Sequence, residues 1–283
     1  MAKMFMTGRE MTTPRNSGLY FGQLTAAELQ KLSPALTAEE EASPFAAYYH
    51  APMGPLQPEH LAAIQGPPMD PNDCYMPSGM AAHMNKIGPD KVENGYGVME
   101  NGVGFAAVRI LQEGVTDEMI RHYRENFAPV KDLFYKTWFP GAHIIHFVDG
   151  AVEDLGWGML NMHMYFRADL SALGFDESRI LENDPDCIAA LTSGAISTPV
   201  ADPDSGAEIM CMAMYTRQTP TGRELRIRYW LGAGFDEDGK LLVYTKPDKI
   251  TPLEKAKRNM EHCMREYCNE KYLIKAFWEA SRN

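Results

Sequence analysis

The residues best suited to chemistry in this 283-residue sequence are a histidine and a glutamate near its C-terminal end. His262 and Glu266 stand four residues apart in a stretch predicted to be helical. At that spacing, two side chains project from the same face of a helix, one turn apart. An imidazole and a carboxylate placed in this way can both reach one divalent cation. The same spacing also suits a half-exposed hydrogen-bonded pair without a metal.

A second group of such residues lies in a mid-chain segment that is rich in aromatic side chains. It contains Tyr135, His143 and His146, and Glu153 follows shortly after it. Because side chains alternate along a strand, the two histidines cannot share a face unless a bulge intervenes, so we expect one of them at most to be a ligand. A buried, hydrogen-bonded histidine or a surface histidine fits the segment as well. Glu153 lies in a short stretch between Gly150 and Gly156, where an acidic residue is usually part of a turn.

Methionines alternate in two predicted strands. Met210, Met212 and Met214 fall on one face of one strand, and Met162 and Met164 share a face of another. A flexible, polarisable thioether suits the wall of a cavity that holds a flat aromatic ligand, although methionine stripes also occur as ordinary core.

Composition excludes several classes of protein. Lys and Arg number 27 against 38 Asp and Glu, so the formal net charge of −11 disfavours a nucleic-acid partner. No long uncharged apolar run predicts a membrane span, and the start of the sequence shows no secretory signal. The five cysteines are scattered and form no Cys-x-x-Cys pair, which favours reduced thiols in a cytoplasmic protein.

The elements that must position these residues change in character near residue 90. Residues 1–90 are rich in proline and predict a small, irregular N-terminal domain with short helices at 26–32 and 59–65. Beyond them, strands are predicted at 96–99, 103–110, 142–148, 157–167, 208–217, 224–231 and 241–245, and helices at 117–127 and 252–280. Residues 168–204 are predicted to form helical turns and loops.

This order of elements predicts an α+β fold for residues 91–283. A curved antiparallel sheet has one apolar face that must be covered, and the long C-terminal helix is the element available to cover it. The predicted architecture is therefore a helix-grip, in which a ligand binds in a cavity between the helix and the sheet.

Several segments together resemble the 2,4-diacetylphloroglucinol hydrolase and phloretin hydrolase family. They are Gly95-Tyr96, Gly102–Phe105, Gly114–Met119, Tyr135 with Trp138–Pro140 and His143, Val152-Glu153, Arg226–Gly232, and His262 with Glu266. Their order and spacing carry the resemblance, which covers residues 95–283. Enzymes of this family cleave the carbon–carbon bond between an acyl group and a polyhydroxylated aromatic ring.

The resemblance implies one divalent metal ion, usually zinc, with another divalent ion such as Fe²⁺ as an alternative. Matched by motif, its ligands are His143, Glu153, His262 and Glu266, and Glu177 is the alternative to Glu153.

The resemblance also implies a fold, a substrate and catalytic residues. The fold is the helix-grip of Bet v 1, joined to an N-terminal domain that helps to form a homodimer. The substrate is an aromatic polyphenol ketone, and Tyr135, His146 and Tyr229 are the candidate proton donors to its ring oxygens. Two other functions stay open: a non-catalytic carrier of an aromatic molecule, and a different metal-dependent lyase or decarboxylase acting on an acyl phenol.

Overall fold

The computed structural model describes residues 33–86, 90–127, 130–148, 152–156, 161–164, 192–197, 208–235, 241–243 and 250–282. The helices in these ranges are α1 (Ala38–Glu41), α2 (Ala46–His50), α3 (Pro58–Gln65), α4 (Met80–Met84), α5 (Asp117–Phe127), α6 (Lys131–Trp138) and α7 (Pro252–Ala280). The strands are β1 (Gly95–Val98), β2 (Gly104–Glu113), β3 (His143–Val148), β4 (Val152–Gly156), β5 (Asn161–Met164), β6 (Thr192–Ser197), β7 (Glu208–Thr219), β8 (Gly222–Leu231), β9 (Ala233–Phe235) and β10 (Leu241–Val243). None of these helices is long and apolar enough to cross a membrane.

The strands β1 to β8 form one antiparallel sheet in the order β1-β2-β8-β7-β6-β5-β4-β3. The strands β9 and β10 pair separately. From β3 to β8 each strand pairs with the next one in the chain, and β2 then pairs with β8. This arrangement confirms the predicted α+β class and the predicted antiparallel sheet.

Local sequence signals fix the start of the long helix α7. Thr251 accepts a hydrogen bond from the backbone of Glu254, whose side chain reaches back to the cap, and Pro252 stands at the first helical position. Thr116 likewise accepts a hydrogen bond from the backbone N–H of Met119 at the start of α5. Both helices begin and end where the sequence predicts them.

One apolar face of the sheet packs against α7. Met260, Cys263, Met264 and Tyr267 of the helix form a buried cluster with residues of β2, β7 and β8. The methionines predicted to share a face of β7 all belong to this cluster. The helix α7 therefore packs on the apolar face of the sheet, as predicted.

The opposite face of the sheet is covered as well, which differs from the prediction of one covered face. Every residue of β8 is buried. Trp230 packs among Met80, Met84 and Val92, which precede the first strand. On the same face, two residues away, the buried Arg228 donates hydrogen bonds to the carbonyl of Val92 and to the hydroxyl of Tyr75. The polar face of β8 is buried because the residues before β1 supply acceptors for its arginines.

Several regions differ from the predicted secondary structure, among them residues 131–138, which form α6 where no element was predicted. Residues 192–197 form β6 although loops and helical turns were predicted there, because pairing with β5 and β7 holds a segment that has little alternation of its own. Glu153 was placed in a turn, but its backbone belongs to β4. The predicted helix at 26–32 lies outside the described residues. The division into two domains stays a prediction.

Candidate metal centre

A short turn between α6 and β3 delivers His143 to the interior. The helix ends at Trp138, and the backbone N–H groups of Ala142 and His143 both donate to the carbonyl of Phe139. Gly141 adopts a φ of 81°, a conformation that favours glycine. The strand then begins at His143 itself, whose side chain is fully buried.

Three of the predicted ligands converge at this point. The Nε2 atoms of His143 and His262 are 2.9 Å apart. The Glu266 Oε2 atom lies 3.3 Å from the Nε2 atom of His143 and 3.6 Å from that of His262. His143, His262 and Glu266 are the group of side chains within the described residues that is arranged to hold a metal ion.

The backbone of α6 sets the orientation of His143. Its Nδ1 atom lies 2.9 Å from the carbonyl oxygen of Tyr135, which can only accept a hydrogen bond. Nδ1 therefore carries a proton and donates this hydrogen bond, and Nε2 is the ring nitrogen that faces His262 and Glu266. The ring of Tyr135 stacks on the imidazole with centroids 3.9 Å apart, so the imidazole plane is fixed as well.

Glu266 supplies a negative charge to the cluster. Burial raises the pKa of this carboxyl, but the His143 and His262 imidazoles beside it outweigh that effect and lower its pKa to about 2. The side chain is therefore a carboxylate near neutral pH, the form in which it can bind a cation.

These donors fit a zinc ion. Zinc is commonly held by imidazole nitrogens and carboxylate oxygens about 2.0–2.2 Å from the metal, which places tetrahedral ligand atoms about 3.3–3.5 Å apart. The two separations from Glu266, 3.3 Å and 3.6 Å, are close to that range, and the separation of 2.9 Å between the two imidazoles is shorter. Three protein ligands would leave one tetrahedral position for water, for substrate or for a fourth side chain.

The other predicted site residues divide into two groups. Tyr135 and Tyr229 are buried, each with 4% of its surface exposed. Glu153 and His146 lie on the paired strands β4 and β3, with Glu153 opposite Phe147 in the backbone register, and their side chains lie outside the described part of the chain. Glu177 is outside it altogether. The pairing register of β3 with β4 shifts between His143 and Ile145. Such an irregularity is the condition under which His143 and His146 could share a face of the strand.

Apolar and weakly polar side chains lie close to His262 and along α7. The ring of Phe139 lies 4.9 Å from that of His262. Tyr229 hydrogen-bonds to Cys263, which follows His262 in the chain, but burial still raises the pKa of this thiol well above its usual value. The Tyr267 hydroxyl lies 3.8 Å from the sulfur of Met214. Cys263, Tyr267 and Met214 are buried and belong to the cluster in which α7 packs against the sheet.

Sequence reasoning missed two polar residues of α7 that follow Glu266. Asn269 and Glu270 are both buried. The available signal was their position between Tyr267 and Leu273, inside the apolar stripe of the helix, where a polar side chain requires partners.

Comparison with known proteins bears on what this centre does. The sequence model of the family described as DAPG hydrolase PhiG domain matches residues 79–274, which is more than half of the chain. The chain belongs to this family.

Two individual proteins are also similar. Phloretin hydrolase from Eubacterium ramulus is 25% identical over 230 residues, which cover 72% of this chain and 78% of the relative. A solved structure of a Staphylococcus aureus protein of unknown function covers 64% of this chain and 96% of its own, at 13% identity and a TM-score of 0.29.

Proposed function

We propose that this protein is a zinc-dependent hydrolase that cleaves the carbon–carbon bond between an acyl group and a polyhydroxylated aromatic ring. The observation that carries the proposal is the convergence of His143, His262 and Glu266 in a chain of this family. Their mutual distances and the ionised carboxylate support a metal centre. The packing of α7 across the sheet supports the helix-grip description.

The three converging side chains would hold the metal, with Glu153 as the proposed fourth ligand. When bound, zinc supplies a Lewis acid that polarises a carbonyl and lowers the pKa of water to about 7. His143 contributes an oriented lone pair on Nε2 because its Nδ1–H donates a hydrogen bond to the backbone carbonyl of Tyr135. Glu266 contributes negative charge at neutral pH.

The reaction adds water across the acyl–ring bond. The oxygen of water bonds to the carbonyl carbon of the acyl group, and the bond between this carbon and the ring breaks. The electron pair of that bond passes to the ring. The ring carbon that carried the acyl group gains a proton. A neighbouring ring hydroxyl makes this possible, because in the keto tautomer the departing electrons end on a ring oxygen. The products are a carboxylic acid and the deacylated phenol.

Protein groups that donate protons to the ring oxygens lower the barrier of this step. We assign that role to Tyr135, His146 and Tyr229. The stacking of Tyr135 on His143 supports a place for its ring beside the metal centre. Substrate that displaces water from this centre would strengthen each hydrogen bond to the developing charge.

The test is incubation of the purified protein with a panel of acylphloroglucinols and other acylphenols in ¹⁸O-labelled water, followed by mass spectrometry. We expect ¹⁸O in the released carboxylic acid together with the deacylated ring. Chelation should abolish turnover and added zinc should restore it. The His50→Ala variant, which changes an exposed histidine that pairs with Glu41, is the matched control and should keep full turnover. Ligand binding without turnover across the panel would contradict the proposal and favour a carrier.

A further inference from the structure

The side chain of Asn269 joins three separate parts of the structure. Its Nδ2 group donates hydrogen bonds to the carbonyls of Thr137, at 2.9 Å, and Trp138, at 3.0 Å. Its Oδ1 atom accepts a hydrogen bond from the backbone N–H of Gly54, at 2.9 Å. Only 3% of the residue is exposed. The amide therefore uses both donor hydrogens and its acceptor on backbone groups inside the protein.

Two of these hydrogen bonds secure the end of α6. The last carbonyls of a helix have no partner within the helix, and Thr137 and Trp138 are its final residues. The same helix carries Tyr135, whose carbonyl fixes the proton on His143. Asn269 stands on α7 three residues after Glu266. It thus ties the helix that orients one imidazole to the helix that carries the other two ligands.

The third hydrogen bond, from the Gly54 N–H to Asn269, connects α6 and α7 to the N-terminal segment around Gly54. A Cβ atom at Gly54 would lie 2.2 Å from the ring of Tyr272 and 2.8 Å from the carbonyl oxygen of Cys268. Glycine therefore permits the close approach that brings its N–H to Asn269. A second contact between this N-terminal part and α6 is made by Lys136, which binds the side chain of Glu40.

We propose that Asn269 is a positioning residue of the metal centre. By holding the end of α6, it keeps the Tyr135 carbonyl where it sets the tautomer and the direction of His143 relative to His262 and Glu266. The inference rests on the proposed function, since it requires these three side chains to bind a metal. Partners that orient a ligand in this way contribute to metal affinity without touching the metal.

The test is Asn269→Asp, which preserves the shape of the side chain. It retains an oxygen for the Gly54 N–H but replaces the group that donates to the two carbonyls of α6. We expect the Kd for Zn²⁺, measured by chelator competition, to rise about 10- to 100-fold. We also expect a changed visible absorption spectrum of the Co²⁺-substituted protein. Asn259→Asp is the matched control, because Asn259 lies on α7 and donates to the Lys255 carbonyl in its own helix; its zinc affinity should match that of the wild type.

The outcomes separate positioning from a general effect on folding. Unchanged zinc affinity and an unchanged Co²⁺ spectrum in folded Asn269→Asp would overturn the proposal, even if the apoprotein melted at a lower temperature. An equal loss of affinity in Asn259→Asp would also overturn it. If Asn269→Asp does not fold, Asn269→Ser, which is uncharged and too short to reach both carbonyls, should show the same weakened binding. Failure of the wild type to bind zinc would instead refute the proposed metal centre itself.

Discussion

Glu270 is the centre of a buried charge network next to the proposed metal centre. Its Oε2 atom accepts hydrogen bonds from Gln112, at 3.0 Å, and Arg223, at 3.1 Å, and its Oε1 atom accepts one from Arg124, at 3.0 Å. The side chains of Glu270 and Arg223 are 1% and 0% exposed. The carboxylate thus compensates guanidinium groups that α5 and β8 bring against α7.

Glu270→Gln removes the charge and keeps the shape of the side chain. Removing one partner of a buried ion pair leaves the other charge uncompensated, which typically costs about 3–5 kcal/mol. We expect the free energy of unfolding to fall by about 3 kcal/mol, the lower end, because glutamine retains one acceptor oxygen. At an m-value of about 3 kcal/mol per molar urea, the unfolding midpoint should fall by about 1 M.

Urea unfolding followed by circular dichroism measures this change, and the same helix supplies a control. Glu261 pairs with Arg265 at 2.6 Å, but their side chains are 35% and 42% exposed. Exposed pairs of this kind contribute only about 0–1 kcal/mol, so Glu261→Gln should shift the midpoint little. A midpoint for Glu270→Gln no lower than that of Glu261→Gln would refute the assignment of stability to this network.

Two further predictions concern single side chains. Tyr135→Phe keeps the ring on His143 and keeps the backbone carbonyl, so zinc affinity should be unchanged while kcat falls at least about 100-fold. An unchanged kcat would remove this hydroxyl from the mechanism. Burial raises the pKa of Asp90, but hydrogen bonds from Lys86 and His83 lower it from 3.8 to about 2, so its stabilising effect is present above pH 3.8 and is lost as the pH falls towards 2. Asp90→Asn should therefore lose less stability than the wild type across that interval in acid titrations, and equal losses would contradict this.

The parts of the fold that the sequence predicts are those with local signals. The cap at Thr251 and the proline after it mark the start of α7, and the two long hairpin strands β7 and β8 follow from alternation around a short turn. The spacing of His262 and Glu266 gives their shared helix face for the same reason. Each of these signals spans only a few residues, so it can be read without knowledge of the rest of the chain.

The parts that the sequence did not predict depend on distant partners. His143 meets His262 across 119 positions of the chain, and no periodicity encodes that contact; only the family resemblance suggested it. The hydrogen bond to the Tyr135 carbonyl uses a backbone atom, which every residue possesses, so residue type gives no sign of it. The strand β6 forms through pairing with its neighbours, and its own sequence has too little apolar alternation to indicate a strand.

The most direct test of the account is a zinc titration of the metal-free protein prepared with a chelator. We expect the wild type to bind one zinc ion per chain, and His262→Ala and Glu266→Gln each to lose that tight site, since either change removes a donor from the cluster. The exposed-histidine control His50→Ala should bind as the wild type does. One tightly bound zinc ion per chain in both ligand variants, with the affinity of the wild type, would contradict the claim that these residues form the metal centre.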